Sequence, residues 1–318
     1  MAGRKLIFCE MAFWERFSEC YPREMSFPED DALNKVKTWM ELYQFLSRSR
    51  LRFDCSLDKF IDIVKKDRRL WYLWKKSTND SDSLDFRNSF DDLCQILIDN
   101  PLCFLLTNIG MGRLSRARGI IGFNSGNWPR KGDLFIDNGL SVKKDDPWNW
   151  GALKTHIPDS TSNSMIVVDN YILGNLTRLA NLFAFLDLLL PDSCEMDYHL
   201  TIFHFNPSAI SEEELLARIV SIRPGLINLR LEIIKVVGPQ EFHDRAILTN
   251  NYWIGIGGGL DISTNSRIAR TTTIDIAYPY LATANTKGRI DDAYEMMISE
   301  AKTALSHARA TSVNRLLV

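Results

Sequence analysis

Short apolar runs alternate with helical patterns through the second half of the chain, and this order restricts the possible folds more than any other feature. Residues 164–172 and 199–205 are apolar enough for buried strands, and residues 175–190 between them are long enough for a helix. A helix beginning after Ser211 separates the second strand from a third at 228–237. The order predicts an α/β sandwich whose strands are mostly parallel.

The first half has a less regular pattern. Residues 4–8 and 102–106 are short apolar runs that predict buried strands, and a helical pattern is predicted for four segments: 31–48, 57–66, 67–76 and 90–98. Residues 145–164 are rich in Asp, Pro, Ser, Asn and Trp, which is typical of a connection. We therefore predict an N-terminal α/β or α+β domain at 1–155 and a second domain at 156–318.

Composition excludes several functional classes. The net charge of -2 argues against a basic nucleic-acid coat, so any nucleic-acid contact must come from a local patch. The six cysteines form no C-x-x-C pair, so no zinc site is predicted, and we expect no other metal and no cofactor. The longest apolar run, 179–190, is too short to span a bilayer. These features predict a cytoplasmic protein.

One segment carries residues suited to phosphate chemistry. His243 is a potential nucleophile, and Arg245 lies two positions later on the same face of a strand, where it can hold phosphate oxygens. Asn250 and the pair Gly257 and Gly258 follow. Glycines at such a turn let the backbone approach a phosphate closely. We take His243 and Asn250 as candidate catalytic residues, and His243, Arg245 and the two glycines as candidate phosphate ligands.

This pattern, H-x-R-x4-N-x6-G-G, resembles the H-x-K-x4-D-x6-G-S motif of the active phospholipase D superfamily. Three of its positions differ, since arginine, asparagine and glycine replace lysine, aspartate and serine. Arginine still binds phosphate, but losing the acidic residue favours binding over turnover. A metal-independent phosphodiesterase or nuclease is the alternative. It would need two histidines, and therefore a dimer that builds one active site from two copies of His243.

Residues 159–280 resemble the phospholipase-D-like C-terminal domain of MIT-domain-containing proteins. The resemblance is carried by FHDRAILTNNYWIGIGGGLDI at 242–262 and by IVVDNY at 166–171. It implies a degenerate, dimer-forming module that binds acidic phospholipid headgroups, and it adds Asp169 and Tyr171 to the phosphate-binding candidates. The alternative for these two residues is a helix N-cap network. Prokaryotic relatives of such domains occur in antiviral systems, which suggests a subunit of a defence complex.

Two further groups of charged residues have alternative interpretations. A basic loop that binds an anionic surface could be formed by Arg113, Arg116 and Arg118. Alternatively, these three residues could simply lie in an exposed hairpin. In the first half, a strand followed by an acidic residue resembles PIN-like nucleases, which hold a metal with several carboxylates. The carboxylates that could serve are Glu10, Asp54, Asp58 and Asp137. Otherwise the N-terminal domain is an interaction or specificity domain.

The predicted helix at 175–190 also bears on assembly. Its apolar residues exceed what one buried face requires; they are Leu182, Phe183, Phe185, Leu186, Leu189 and Leu190. We therefore predict a homodimer or a stable complex with another protein, with nucleic acid or membrane-surface headgroups as the phosphate-bearing partner.

Overall fold

The computed structural model describes residues 6–20, 50–66, 84–86, 103–107, 117–125, 138–157, 161–236, 245–277 and 287–318. The chain divides into two units. Unit 1 consists of residues 1–115 and 120–133, and unit 2 consists of residues 116–119 and 134–318. The predicted helices at 31–48, 67–76 and 90–98 lie outside the described residues.

Unit 1 contains a parallel sheet. Its strands are β1 (Leu6–Cys9), β2 (Arg50–Phe53), β3 (Leu84–Phe86), β4 (Cys103–Leu106) and β5 (Ile121–Phe123), in the order β3-β2-β1-β4-β5. All neighbouring pairs run parallel. All four residues of β1 are buried, as expected for a central strand covered on both faces. Of the two classes predicted for this half, the structure is α/β.

Two helices of unit 1 follow strands directly. They are α1 (Met11–Cys20) after β1 and α2 (Leu57–Lys66) after β2. The buried face of α1 is aromatic, and the rings of Phe13 and Phe17 stack with their centroids 5.6 Å apart. In α2, Phe60 and Val64 are one turn apart and buried, and the Phe60 ring lies 4.6 Å from that of Phe53. The helix predicted at 57–66 is confirmed.

Unit 2 contains a sheet of seven strands. They are β6 (Asn138–Val142), β7 (Ser164–Val168), β8 (Tyr198–His204), β9 (Leu229–Lys235), β10 (Ala246–Thr249), β11 (Trp253–Ile256) and β14 (Thr272–Ala277), in the order β6-β14-β11-β10-β7-β8-β9. A small hairpin of β12 (Ser263–Thr264) and β13 (Arg267–Ile268) lies between β11 and β14.

The direction of the strands differs from the prediction. Only β7, β8 and β9 are parallel to one another, and the four other pairs are antiparallel. The reason is the length of the connections. Helices join the three parallel strands, whereas β10 and β11 are joined by a turn at Asn250 and Asn251 that is too short for a crossover. The predicted α/β class is confirmed, but the sheet is mixed.

The described residues of unit 2 form three helices: α3 (Leu176–Leu189), α4 (Glu212–Ile222) and α5 (Lys287–Ala308). The Asn175 side chain caps α3 by accepting from the Arg178 N–H, and Ser211 and Glu214 form a capping box on α4. The residues of α3 that predicted a partner surface are all buried within the chain. None of the helices in the described ranges is both long enough and apolar enough to cross a bilayer.

The two compact units do not divide near residue 155, since residues 138–157 belong to unit 2. The edge strand β6 pairs with β14, from Asn138 opposite Ile276 to Val142 opposite Thr272. A 3-10 turn, Trp150–Thr155, follows. Its Trp150 ring packs 5.0 Å from the Phe185 ring of α3.

Candidate functional site

The candidate site lies where β7 ends and β10 begins. Asp169 directly follows β7 and Arg245 directly precedes β10. The two strands are antiparallel, with Val168 opposite Ala246, so Asp169 and Arg245 come side by side. The glycine turn at 257–259 follows the next strand, β11. Ligand sites of α/β proteins gather at the carboxyl ends of parallel strands, and β7 is one of them.

Asp169 anchors the glycine turn to the end of β7. It is buried, with 4% of its surface exposed. Its Oδ1 accepts a hydrogen bond from the Tyr171 N–H at 3.0 Å, and its Oδ2 accepts one from the Leu260 N–H at 2.8 Å. Burial raises the pKa of Asp169, while the two hydrogen bonds and the nearby Arg245 act in the opposite direction. These hydrogen bonds do not cap the following helix, which is capped by Asn175; the phosphate-binding roles of Asp169 and Tyr171 stay predictions.

Arg245 is half-buried, and its guanidinium is held by a ring contact. The guanidinium carbon lies 5.6 Å from the centroid of the Tyr171 ring. Within the part of the chain that the structure describes, the guanidinium makes no hydrogen bond and no ion pair. A guanidinium has five N–H donors arranged in a planar fork.

The glycine turn fits closely against these two side chains. Gly259 has a φ of +76°, and a Cβ there would lie 2.5 Å from Arg245 Cδ and 2.6 Å from Asp169 Oδ2. Only glycine satisfies both the conformation and the contact. Gly258 is also close-packed, since a Cβ there would lie 2.7 Å from Arg270 Nε.

The predicted Gly257 does not take part in this contact. It is exposed, and a Cβ there would lie closest to Thr272 Oγ1, at 3.1 Å, which belongs to β14. The turn therefore contacts Asp169 and Arg245 through Gly259, which the motif spacing did not single out.

Two more arginines and a carboxylate complete the cluster. Arg178 Nη2 lies 3.1 Å from Asp261 Oδ2, and the guanidinium carbon of Arg178 is 5.2 Å from the centroid of the Tyr171 ring. Arg270 donates to Asp261 Oδ1 and to the carbonyl of Gly258. Sequence analysis missed all three residues. Two of them could have been predicted from their place in the sequence. Asp261 ends the G-G-G-L-D segment, and Arg178 lies in the first turn of the helix that follows D-N-Y.

Asn250 lies away from the cluster. It is five residues from Arg245 along β10, which is about 16 Å of extended chain. It is fully buried; its Oδ1 accepts from the Asn163 N–H and its Nδ2 donates to the Gly119 carbonyl, both at 2.9 Å. These bonds tie the Asn250 side chain to the backbone at Asn163 and Gly119, and its catalytic role stays a prediction.

Three predicted residues lie outside the described residues: His243, which is two positions before Arg245, and Arg113 and Arg116 of the basic loop. Arg118 of that loop is half-buried, and its carbonyl accepts from Asn163 Nδ2 at 3.0 Å. The roles of His243 and of the basic loop stay predictions.

The carboxylates of unit 1 come together only in part. Glu10 and Asp54 follow the neighbouring strands β1 and β2. Glu10 is buried and accepts from Thr107 Oγ1 at 2.7 Å, and Asp54 accepts from the Met11 N–H at 2.8 Å. Asp58 is exposed on α2, and Asp137 lies outside the described residues. No three metal-ligating side chains converge among the residues that are described.

Comparison with known proteins adds little to this geometry. No protein-family model matches the chain, and no curated protein matches it. Among solved structures, the chain is similar to a polyphosphate kinase from Porphyromonas gingivalis, at 10% identity and with a TM-score of 0.32. The similarity covers 57% of this chain and 27% of the kinase. The surroundings of Arg245 are therefore the main guide to function.

Proposed function

We propose that unit 2 binds a phosphate-bearing ligand through Arg245 and does not turn it over. The observation that carries this proposal is the state of the Arg245 guanidinium. It is half-buried and held over Tyr171, yet it has no hydrogen-bonding or ion-pairing partner in the described part of the chain. A side chain fixed in this way loses little conformational entropy when it binds a ligand.

The surrounding cluster suits an anion. The cluster combines the guanidinium groups of Arg178, Arg245 and Arg270 with the carboxylates of Asp169 and Asp261. Its positive charges therefore exceed its carboxylates by one. A guanidinium matches the geometry of phosphate oxygens with two parallel hydrogen bonds. The turn at Gly258 and Gly259 brings backbone, without side chains, beside these arginines. His243, two positions before Arg245, is proposed as a further phosphate contact.

Binding without turnover is favoured by the position of Asn250. An acid or base for phosphoryl chemistry must lie within hydrogen-bonding reach of the reacting group. Asn250 is at the far end of β10, and its amide is used by Asn163 and Gly119. Cleavage of DNA or RNA in EDTA that is lost in His243→Ala would favour the phosphodiesterase instead.

The test is a titration at low salt. One arm uses a fluorescent single-stranded oligonucleotide, and the other uses vesicles with acidic phospholipid headgroups, so that the two sources of phosphate are distinguished. Arg245→Gln should weaken binding about tenfold or more and reduce the salt dependence by about one counterion. The matched control is Arg230→Gln, which removes an exposed arginine on β9 that pairs with Asp197. Equal binding by Arg245→Gln and Arg230→Gln would refute the proposal.

We also propose that the module works in an assembly, as a homodimer or as a subunit of a larger complex such as an antiviral system. Unit 1, with its parallel sheet, is proposed as the interaction or specificity module. Light scattering tests the homodimer. A particle of 36.5 kDa at all micromolar concentrations would exclude it.

A further inference from the structure

Asp169 and Arg245 share the space in front of the glycine turn. Arg245 Cδ and Asp169 Oδ2 both lie within 2.6 Å of the point where a Cβ of Gly259 would be. An anion that binds the Arg245 guanidinium therefore comes close to the Asp169 carboxylate. Two negative charges at such a distance repel each other, and burial strengthens the repulsion because little water screens it.

Asp169 has no means of relieving this repulsion by moving. Both carboxylate oxygens accept backbone hydrogen bonds, from the N–H groups of Tyr171 and Leu260, and the side chain is buried. Rotating the carboxylate away would leave two backbone donors without partners, whereas a protonated carboxyl can still accept both hydrogen bonds.

We propose that Asp169 takes up a proton from solvent when an anion binds Arg245, so that the site binds anions more tightly as the pH falls. This inference rests on the proposed function of Arg245. It also gives Asp169 a different role from the phosphate ligand predicted for it. Asp169 is a positioning residue that holds the turn and sets the charge of the site.

Other titratable side chains lie on the described elements around Asp169. Asp261 faces it from the turn and forms ion pairs with Arg178 and Arg270. On the neighbouring strand β8, burial lowers the pKa of His204, and the ring Nδ1 is hydrogen-bonded at 2.8 Å to the carbonyl of Asn206. Burial raises the pKa of Asp169, which brings its protonation closer to neutral pH.

Proton uptake can be measured directly by calorimetry. The probe is inorganic sulfate, a tetrahedral anion whose own charge does not change between pH 5.5 and 7.5. Titration of the full chain in two buffers of different ionisation enthalpy gives the number of protons taken up. We expect a fraction of a proton per sulfate, and an affinity about fivefold higher at pH 5.5 than at pH 7.5.

Two variants identify the group that takes up the proton. His243→Gln should bind sulfate more weakly, because His243 is a proposed phosphate contact, but should keep the proton uptake per bound sulfate, because Asp169 remains. Asp169→Asn should abolish it and should bind sulfate at pH 7.5 as tightly as the parent does at pH 5.5. If Asp169→Asn does not fold, carbon NMR of the Asp169 carboxyl in the parent reports the same protonation.

The outcomes separate the two proposals. Sulfate that binds without proton uptake, or uptake that is lost in His243→Gln, overturns the role of Asp169 and leaves the anion site in place. Failure of sulfate to bind the parent protein at either pH overturns the proposed function and this inference together.

Discussion

In the motif that residues 243–258 resemble, the position of Asn250 is an aspartate, and the surroundings of Asn250 explain why an amide suits this chain. The side chain faces one donor and one acceptor, the Asn163 N–H and the Gly119 carbonyl. An amide satisfies both, since it has an oxygen that accepts and a nitrogen that donates. A carboxylate would satisfy only the first and would place its second oxygen against a carbonyl.

Asn250→Asp should therefore destabilise unit 2. The change leaves the Gly119 carbonyl without this donor and buries a negative charge, which together should lower the free energy of unfolding by about 3 kcal/mol. Urea denaturation at pH 7.5 measures it. Asn265→Asp, in an exposed turn, is the control and should change stability by less than about 0.5 kcal/mol. A variant Asn250→Asp as stable as the parent would contradict the structural role.

At the scale of the element, the glycine turn offers a comparison between neighbours. Gly259→Ala should weaken anion binding and stability, because its φ of +76° and the 2.5 Å approach to Arg245 Cδ both exclude a Cβ. The conformation alone costs about 1–2 kcal/mol. Gly257→Ala is the control. The φ of Gly257 is not positive, and the added Cβ would lie 3.1 Å from its nearest neighbour, Thr272 Oγ1. Sulfate titration and urea denaturation of both variants should separate them; equal effects would argue against Gly259 as the close contact.

The segment after α5 is a second element with a testable contact. The N–H of Arg315 donates to His199 Nδ1 on β8 at 3.2 Å, and Asn314 Nδ2 donates to the Met165 carbonyl at 3.0 Å. Burial lowers the pKa of His199, and the charge of Arg315 acts in the same direction. The folded state therefore favours a neutral His199 ring whose Nδ1 remains an acceptor.

Stability should consequently fall in mild acid. Below the ordinary histidine pKa of about 6.5, the unfolded chain binds a proton that folded His199 does not, so the free energy of unfolding decreases as the pH decreases. His199→Asn keeps an acceptor for the Arg315 N–H and removes the titration. Urea denaturation at pH 7.5 and 5.5 should show a smaller loss of stability in His199→Asn than in the parent. An unchanged loss would assign the effect to other groups, such as His204.

The elements that sequence predicted are those with strong local patterns. Strands β7 and β8 are apolar runs, β9 alternates apolar with charged residues, and α4 carries its own capping signal in Ser211 and Glu214. The edge strand β6 was missed because its sequence, NGLSV, is too polar for a buried run and because, among the described strands, it pairs with β14 alone. The ion pair of Arg178 with Asp261 joins residues 83 positions apart, so no local pattern reveals it. Both the strand β6 and this ion pair depend on contacts between residues that are far apart in the sequence.

At the scale of the whole molecule, the division into units predicts which fragments fold. Residues 116–119 belong to unit 2 although they precede residues of unit 1 in the chain. The Gly119 carbonyl accepts from both Asn250 and Asn251, and the Ala117 carbonyl accepts from the Glu195 N–H at 2.7 Å. A fragment of unit 2 that lacks these four residues leaves buried amides without acceptors.

Three fragments ending at residue 318 should therefore rank by their starting residue. The one beginning at 116 keeps all these contacts and should unfold cooperatively in urea. The one beginning at 134 should be less stable by about 2–3 kcal/mol, because Asn250 Nδ2 loses the Gly119 carbonyl, the Glu195 N–H loses the Ala117 carbonyl, and Asn251 Nδ2 keeps only its bond to the Thr161 carbonyl. The one beginning at 156 also loses β6 and the buried Trp150, and removing a buried tryptophan alone costs about 3–5 kcal/mol. Circular dichroism against urea measures the order, and a fragment from 156 as stable as that from 116 would contradict the division.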